Sequence, residues 1–427
     1  MRYRHRGGRV FGYCVGTTVV SALLAANWPQ WRGPERDGVS AETGLLQEWP
    51  AEGPRLIWQQ TGLGDGYSTP AVVGDRIYLV SSEGLENEFV QALNVADGQQ
   101  VWSTRIGKVG EPDQRPNYPG ARSTPTVDGE RLYALGSDGD LVCLDRASGD
   151  IRWHRNVRTE FGGKPGEWAY SESPLVDGGV VVVTPGGEEA TLVALDKNSG
   201  EAVQKWPVPG GDEAGYASII IVNAAGVKQY VQFLAKGLVG VNANTGEFLW
   251  RYDRPAQSSP ANIGTPVSQD DYVYSGSHYA GGGLVRLVAK DGGVEAEEVY
   301  FGREYPTAIG GAVLVGDYLY GTTREAMVCA EFKTGEVKWT QERKVAPASL
   351  CYADGRLYLH GERDGEVALV EATPAEYRER GRFTPPNVPD RGQGKAWAYP
   401  VVADGRLYIH DWGTLWCYDV KATNRGG

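Results

Sequence analysis

Along most of the chain, apolar residues come in short runs rich in β-branched and aromatic side chains, and each run stops at Gly, Asp or Asn. Ala71-Val72-Val73, then Gly74-Asp75, then Arg76-Ile77-Tyr78 is one example. Runs this short, closed by turn formers, predict strands joined by tight turns. The same unit returns along the chain: a Ser/Thr-Pro strand, a turn with Gly and Asp, and a strand carrying Tyr. It opens at Ser68-Thr69-Pro70, at Ser123 (with Asp128-Gly129 at the turn and Tyr133 after it), and at Ser173-Pro174 ahead of Asp177-Gly178. A copy without Pro runs from Ser218 to Tyr230, and a fifth from Thr265-Pro266 to Tyr274. Three more end in Gly316-Asp317-Tyr318-Leu319-Tyr320, Asp354-Gly355-Arg356-Leu357-Tyr358 and Asp404-Gly405-Arg406-Leu407-Tyr408. Eight two-strand hairpins at a spacing of roughly 40–55 residues is the period of propeller blades.

A second pattern follows most hairpins: a small residue, any residue, Asp or Asn, then Gly, then Trp four positions after the Gly. It reads Ala92-x-Asn94…Gly98…Trp102, Cys143-x-Asp145…Gly149…Trp153 and Gly240-x-Asn242…Gly246…Trp250. Cys329-x-Glu331…Gly335…Trp339 is a further copy, and Ala194-x-Asp196…Gly200…Trp206 a stretched one. The unit is a strand, a tight turn that needs positive φ at Gly, and a second strand. The Trp is placed to fill the space between neighbouring blades, where a large flat side chain buries most area. Tyr300 and Phe383 stand in for Trp in the fifth and seventh copies, and Pro374 breaks the usual turn. Outer aromatics fall at Trp58, Trp102, Trp153, Trp206, Trp250, Tyr300, Trp339 and Phe383. The last repeat has a hairpin and a third strand, Leu415 to Asp419, but no fourth, while the chain opens with a lone strand at Arg55-Leu56-Ile57-Trp58. The expectation is therefore an all-β, eight-bladed β-propeller of four-stranded antiparallel blades over 55–427, closed by the N-terminal strand in the last blade. Such a clasp removes an open sheet edge.

The second pattern resembles the tryptophan-docking motif of the PQQ-like (pyrrolo-quinoline quinone) repeat propeller family, over nearly the whole chain after residue 26. Residues 27–54, with Trp28-Pro29-Gln30-Trp31-Arg32-Gly33-Pro34, look like the N-terminal arm of secreted bacterial members. They are read as an arm that packs over a blade edge, with a ligand site as the other reading.

Composition agrees with turns and docking aromatics: 59 Gly, 13 Trp and 23 Tyr. Residues 1–26 read as a signal peptide, with Arg2, Arg4, Arg6 and Arg9 ahead of an apolar run from Val10 to Ala26. An uncleaved anchor is the alternative, although the run is short for a span. Phe11-Gly12-Tyr13 before Cys14 lacks the small residue that lipidation wants. Secretion or a periplasmic location follows, with no membrane span after cleavage. Removing four arginines and no acids takes the formal charge from -12 to -16. An acidic chain without a basic run is a poor nucleic-acid binder.

No catalytic residue and no metal ligand set is assigned from the sequence. Cys143, Cys329 and Cys417 occupy the small-residue position of the docking motif, and Cys351 aligns with Ala71, so all four read as buried alanine substitutes. Loops between blades, and loops between second and third strands, share one face of such a disc. The first set carries Tyr67, Arg122, Trp168, Tyr170, Glu172, Tyr216, Arg303, Tyr305, Trp397 and Tyr399. The second carries His278, Tyr279, Arg324, Glu325, His360, Arg363, His410, Asp411 and Trp412. Such a ring of aromatic and charged groups suits a protein partner. His360 and His410 sit at equivalent places in adjacent repeats, but two ligands make a weak metal site.

The resemblance admits two further readings. One is a quinoprotein oxidoreductase holding PQQ through calcium, for which Glu172 and Asp411 are the available acids and the adjacent Cys pair common in that branch is missing. The other is a carbohydrate-binding propeller using exposed Trp and Tyr. The favoured expectation is a non-catalytic protein-binding or assembly module without a cofactor, by analogy with propeller lipoproteins of outer-membrane assembly.

Overall fold

The computed structural model describes residue 1 and residues 27–110, 118–257, 261–342 and 344–422. The segment read as a signal peptide, and Cys14 within it, lie outside the described residues. Eight antiparallel sheets form the blades of a propeller. In the first blade the strands run from the axis outwards as Ala71–Val73, Arg76–Glu83, Asn87–Asn94 and Gln100–Gly107. Six more blades repeat that order. In the eighth, Val401–Ala403, Arg406–Asp411 and Thr414–Asp419 are followed on the rim by Arg55–Gln60, from the other end of the chain. That strand pairs antiparallel with Thr414–Asp419, Arg55 opposite Asp419 and Gln60 opposite Leu415. The N-terminal clasp is thus in place.

Blades are seated by the repeated Trp and Gly. Trp102 donates its indole N–H to the carbonyl of Arg146 in the next blade at 3.3 Å, and Trp153 does the same to Lys197 at 3.1 Å. Each ring lies over the glycine of the neighbouring turn. A Cβ on Gly149 would fall 2.6 Å from the Trp102 ring, and one on Gly200 would fall 2.8 Å from Trp153. Tyr300 replaces Trp in kind, its hydroxyl donating to the Phe332 carbonyl at 2.9 Å and its ring covering Gly335. Phe383 has no such donor and packs on Tyr418, with Gly53 against its ring. Gly53 is therefore the docking glycine of the eighth blade, separated from its third strand by nearly the whole sequence. Cys143, Cys329, Cys351 and Cys417 are buried and free.

The arm lies against the inner edges of several blades, along the central channel. Asn27 accepts a hydrogen bond from the Gly74 amide, at the turn between the first two strands of blade one, at 3.0 Å. Trp28 pairs with Val72 on an innermost strand, and Pro29 accepts from Val127 on the next. The chain reverses over 30–38 and leaves as Val39–Ser40, a short parallel strand added to the innermost strand of blade seven. It then crosses beneath blades seven and eight, where Leu45 and Trp49 join their core, before becoming the clasp.

The reversal is held by two arginines. Arg32 donates to the carbonyls of Asp37 and Ala312. Arg36 donates to Ser173, Pro174 and Ile219 at 2.8, 3.1 and 2.8 Å. Carbonyls at and just before the starts of the innermost strands, at residues 173, 174, 219 and 312, take their donors from these two side chains. Guanidinium groups, with five donors each, satisfy several at once. No helix among the described residues is long and apolar enough to cross a membrane.

Candidate functional site

The arm occupies the channel from the opposite side, and on the loop face the axis is open. There a pocket of about 450 Å³ remains, within the range of small-ligand sites. Every loop between successive blades reaches it, through residues such as Tyr67, Arg122, Trp168, Tyr216, Ile263, Thr307, Pro347 and Trp397. Loops between second and third strands add His278, Tyr279, Arg324, Glu362 and Arg363. Trp31, at the tip of the arm, belongs to the lining; its indole N–H donates to Thr265 Oγ1 at 2.9 Å, and its ring meets Tyr399 edge-on at 4.6 Å.

Aromatic rings make the wall. Trp397 lies between Tyr67 at 4.8 Å and Tyr118 at 4.9 Å, and Trp168 meets Tyr216 at 5.6 Å. Four cations, Arg122, Arg324, Arg363 and Lys395, stand against one carboxylate, Glu362. Arg122 is half-buried, lies over the Tyr67 ring at 5.8 Å and donates to the Gly120 and Tyr118 carbonyls. Burial pushes the Glu362 carboxyl up, opposed by Trp397 and then by Lys395, Arg363 and Arg324 around it. Burial, and then Arg324, pull the His278 pKa down. A chain of formal charge -12 thus carries a cationic recess on its axis.

Of the residues singled out in the sequence, Tyr67, Arg122, Trp168, His278, Arg324 and Trp397 line this pocket, as do Tyr216, Tyr279, Arg363 and Tyr399. Trp412 backs the wall, edge-on to Tyr67 at 5.2 Å. Arg303 stays at the exposed rim beside the Tyr279 carbonyl. Glu325 is exposed beside Arg324 and Arg363, and the others turn inwards. Tyr170 is buried and donates to Pro185. Tyr305 is buried and donates to Gly335. Glu172 accepts from the Thr184 amide at 2.6 Å and from Gln232 at 2.8 Å. His360 and His410 are buried, with Nδ1 at 2.9 and 2.7 Å from the Ala398 and Ser68 carbonyls. Asp411 is buried in an ion pair with Arg391. These side chains brace loops and do not meet the pocket. Trp168, Tyr170 and Glu172 belong to one irregular loop, outside any strand, and of these three Trp168 reaches the pocket while the other two fold under it.

Trp31, Tyr118, Glu362 and Lys395 were not picked out from the sequence. Trp31 carried a signal only as part of an aromatic arm. The other three lie in loops without periodicity.

The quinone reading needs carboxylates free to hold calcium beside the cofactor. Glu172 and Asp411 do not line the pocket, and their oxygens already serve Thr184, Gln232 and Arg391. No group of three His, Cys, Asp or Glu placed to hold a metal occurs among the described residues. The donor set present does not fit a calcium-bound quinone.

Fold and site together define a closed eight-bladed propeller with a plugged channel and one aromatic, cation-bearing recess on its loop face. The family described as outer membrane protein assembly factor BamB matches residues 36–167 and 86–341, and the chain belongs to that family. The outer membrane protein assembly factor BamB of Burkholderia pseudomallei is 25% identical over 405 residues, covering 88% of this chain and 90% of its own. The crystal structure of BamB from Moraxella catarrhalis superposes with a TM-score of 0.60 at 16% identity, over 87% of this chain and 98% of that one. The quinohemoprotein alcohol dehydrogenase of Comamonas testosteroni superposes with a TM-score of 0.55 at 14% identity, over 94% of this chain and 81% of that one. These two structures share the fold.

Proposed function

We propose that the protein is a non-catalytic, secreted or periplasmic propeller that binds a protein partner through its loop face, as an assembly module without a cofactor. The observation that carries this reading is the recess itself. Loops from all around the ring meet there in a surface of rings and cations, and the arm floors it. Aromatic residues and Arg are the side chains enriched at protein interfaces. The relatives named as assembly factors cover most of both chains, which supports the same reading. The oxidoreductase alternative has a single carboxylate at the pocket, Glu362, with Glu172 and Asp411 engaged elsewhere.

Site-specific photo-cross-linking tests the face. A benzophenone side chain replacing Tyr279 or Arg363, at the pocket, should give protein adducts in cells. The same group replacing Asp75 or Asp270, exposed at turns of the opposite face, should give none. Adducts confined to the opposite face would reject the reading.

A further inference from the structure

The pocket has a chemistry more specific than a general contact surface. Its four cations have one carboxylate among them. Arg324 and Arg363 are exposed; each makes a long contact to Glu325 at 3.9 Å, and Arg363 also donates to the Arg324 carbonyl at 3.5 Å. Arg122 is deeper and donates to two backbone carbonyls, with the buried Glu88 acting on it only through the field of its carboxyl. Beside it, the Tyr67 hydroxyl is buried and without a partner, and so is the Trp168 indole N–H. A buried donor left unpaired costs free energy unless a ligand takes it up. Guanidinium, phenol O–H and indole N–H are all donors, and together they call for an acceptor carrying negative charge.

Most of the remaining wall is aromatic or aliphatic, with Trp31, Tyr118, Tyr216, Ile263, Ile309 and Trp397, interrupted by the hydroxyls of Ser171, Ser277 and Thr307. A ligand must therefore present carboxylates next to an apolar or aromatic body. A polyhydroxylated ligand fits poorly. Sugar hydroxyls are donors as well as acceptors, yet no Asn, Gln or Asp side chain lines the pocket, and Glu362 is its one carboxylate.

We infer that the pocket takes an acidic peptide segment, in which carboxylates flank an aromatic or large aliphatic side chain. The inference rests on the protein-binding reading and names the part of the partner that enters the recess. The apolar side chain packs among Trp31, Trp168 and Trp397, one carboxylate meets Arg122 and the Tyr67 hydroxyl, and the exposed Arg324 and Arg363 draw the segment in from solvent. Attraction at exposed positions is screened by salt.

Titration of the protein with capped peptides, read by the fluorescence of the pocket tryptophans, tests this. The probes are a hexapeptide of alternating Glu and Phe, its Gln/Phe counterpart, and an oligogalacturonate as the anionic glycan. Saturable binding of the Glu/Phe peptide is expected, weakening as salt rises, with the Gln/Phe peptide weaker by about tenfold or more. Arg122→Gln should lose about tenfold in affinity for the Glu/Phe peptide. Because Arg122 also holds the Tyr118 and Gly120 carbonyls, the double variant Arg324→Gln/Arg363→Gln is the second probe. It carries no folding burden and should lose about two- to fivefold together with part of the salt dependence. Equal binding of the Gln/Phe peptide, tighter binding of the glycan, or no binding of any probe would overturn the inference. The protein-binding reading would still stand or fall separately, on the cross-linking pattern.

Discussion

Two of the buried carboxylic acids have their pKa raised by burial to about 7. They are Glu88, which accepts from the Ser137 amide and hydroxyl, and Glu172, beside the charge of Arg36. Between an unfolded value near 4.5 and a folded value of about 7, the native state holds protons that the unfolded state has released. Their contribution to stability therefore falls as pH rises through that window. His360 and His410 act the other way: burial lowers both, so stability is lost as pH falls below about 6.5, where the unfolded imidazoles take up protons. A melting curve of the native protein alone would mix the two effects, but a variant separates them. The melting temperature of Glu88→Gln, relative to the native protein, should improve steadily from pH 4.5 to pH 7.5. A difference independent of pH would mean that Glu88 is already ionised at the acid end. Glu172 also shows a limit of sequence reading at this scale. The loop position was legible, but the direction of the side chain was not, since it is set by an irregular loop and by Thr184 and Gln232 farther along the chain.

The docking motif is where sequence and structure agree most closely. Its period could be counted because each copy meets the same local demands: a turn glycine with positive φ, and a ring that covers it. At Gly149, φ is +79° and a Cβ would lie 2.6 Å from Trp102; at Gly74, φ is +61° and nothing lies within 4 Å. Gly74→Ala should thus cost only the backbone term, about 1–2 kcal/mol. Gly149→Ala adds overpacking of a seated ring, and should cost about 2–5 kcal/mol in all. Denaturant midpoints of the two variants decide it, and equal losses would show that the ring does not bear on the turn. Gly53 escaped the same counting. Its motif is split between the two ends of the chain, with Cys417 and Asp419 on one side and Trp58 on the other, so no window of sequence contains it.

At the scale of the molecule, one N-terminal segment does three things: it fills the channel, floors the recess with Trp31 and closes the ring with Arg55–Gln60. The ring and its closure were legible because strands have a period and the outer aromatics could be counted. The plug was not. Its anchors are Arg32 and Arg36 bonded to carbonyls of residues 173, 174, 219 and 312, and a backbone carbonyl leaves no mark on the sequence around it. The pocket inherits that limit, because its depth depends on where the arm turns back. The central claim is that the arm is part of the folded ring and not a tail laid on it. Backbone hydrogen exchange tests this directly at Trp28, Gly38 and Tyr352, whose amides donate to Val72, Arg32 and Gly38 at 2.8 Å. These amides should be protected to the level of the blade cores and open only with global unfolding. Rapid exchange over 28–40 while the blades stay protected would contradict the account.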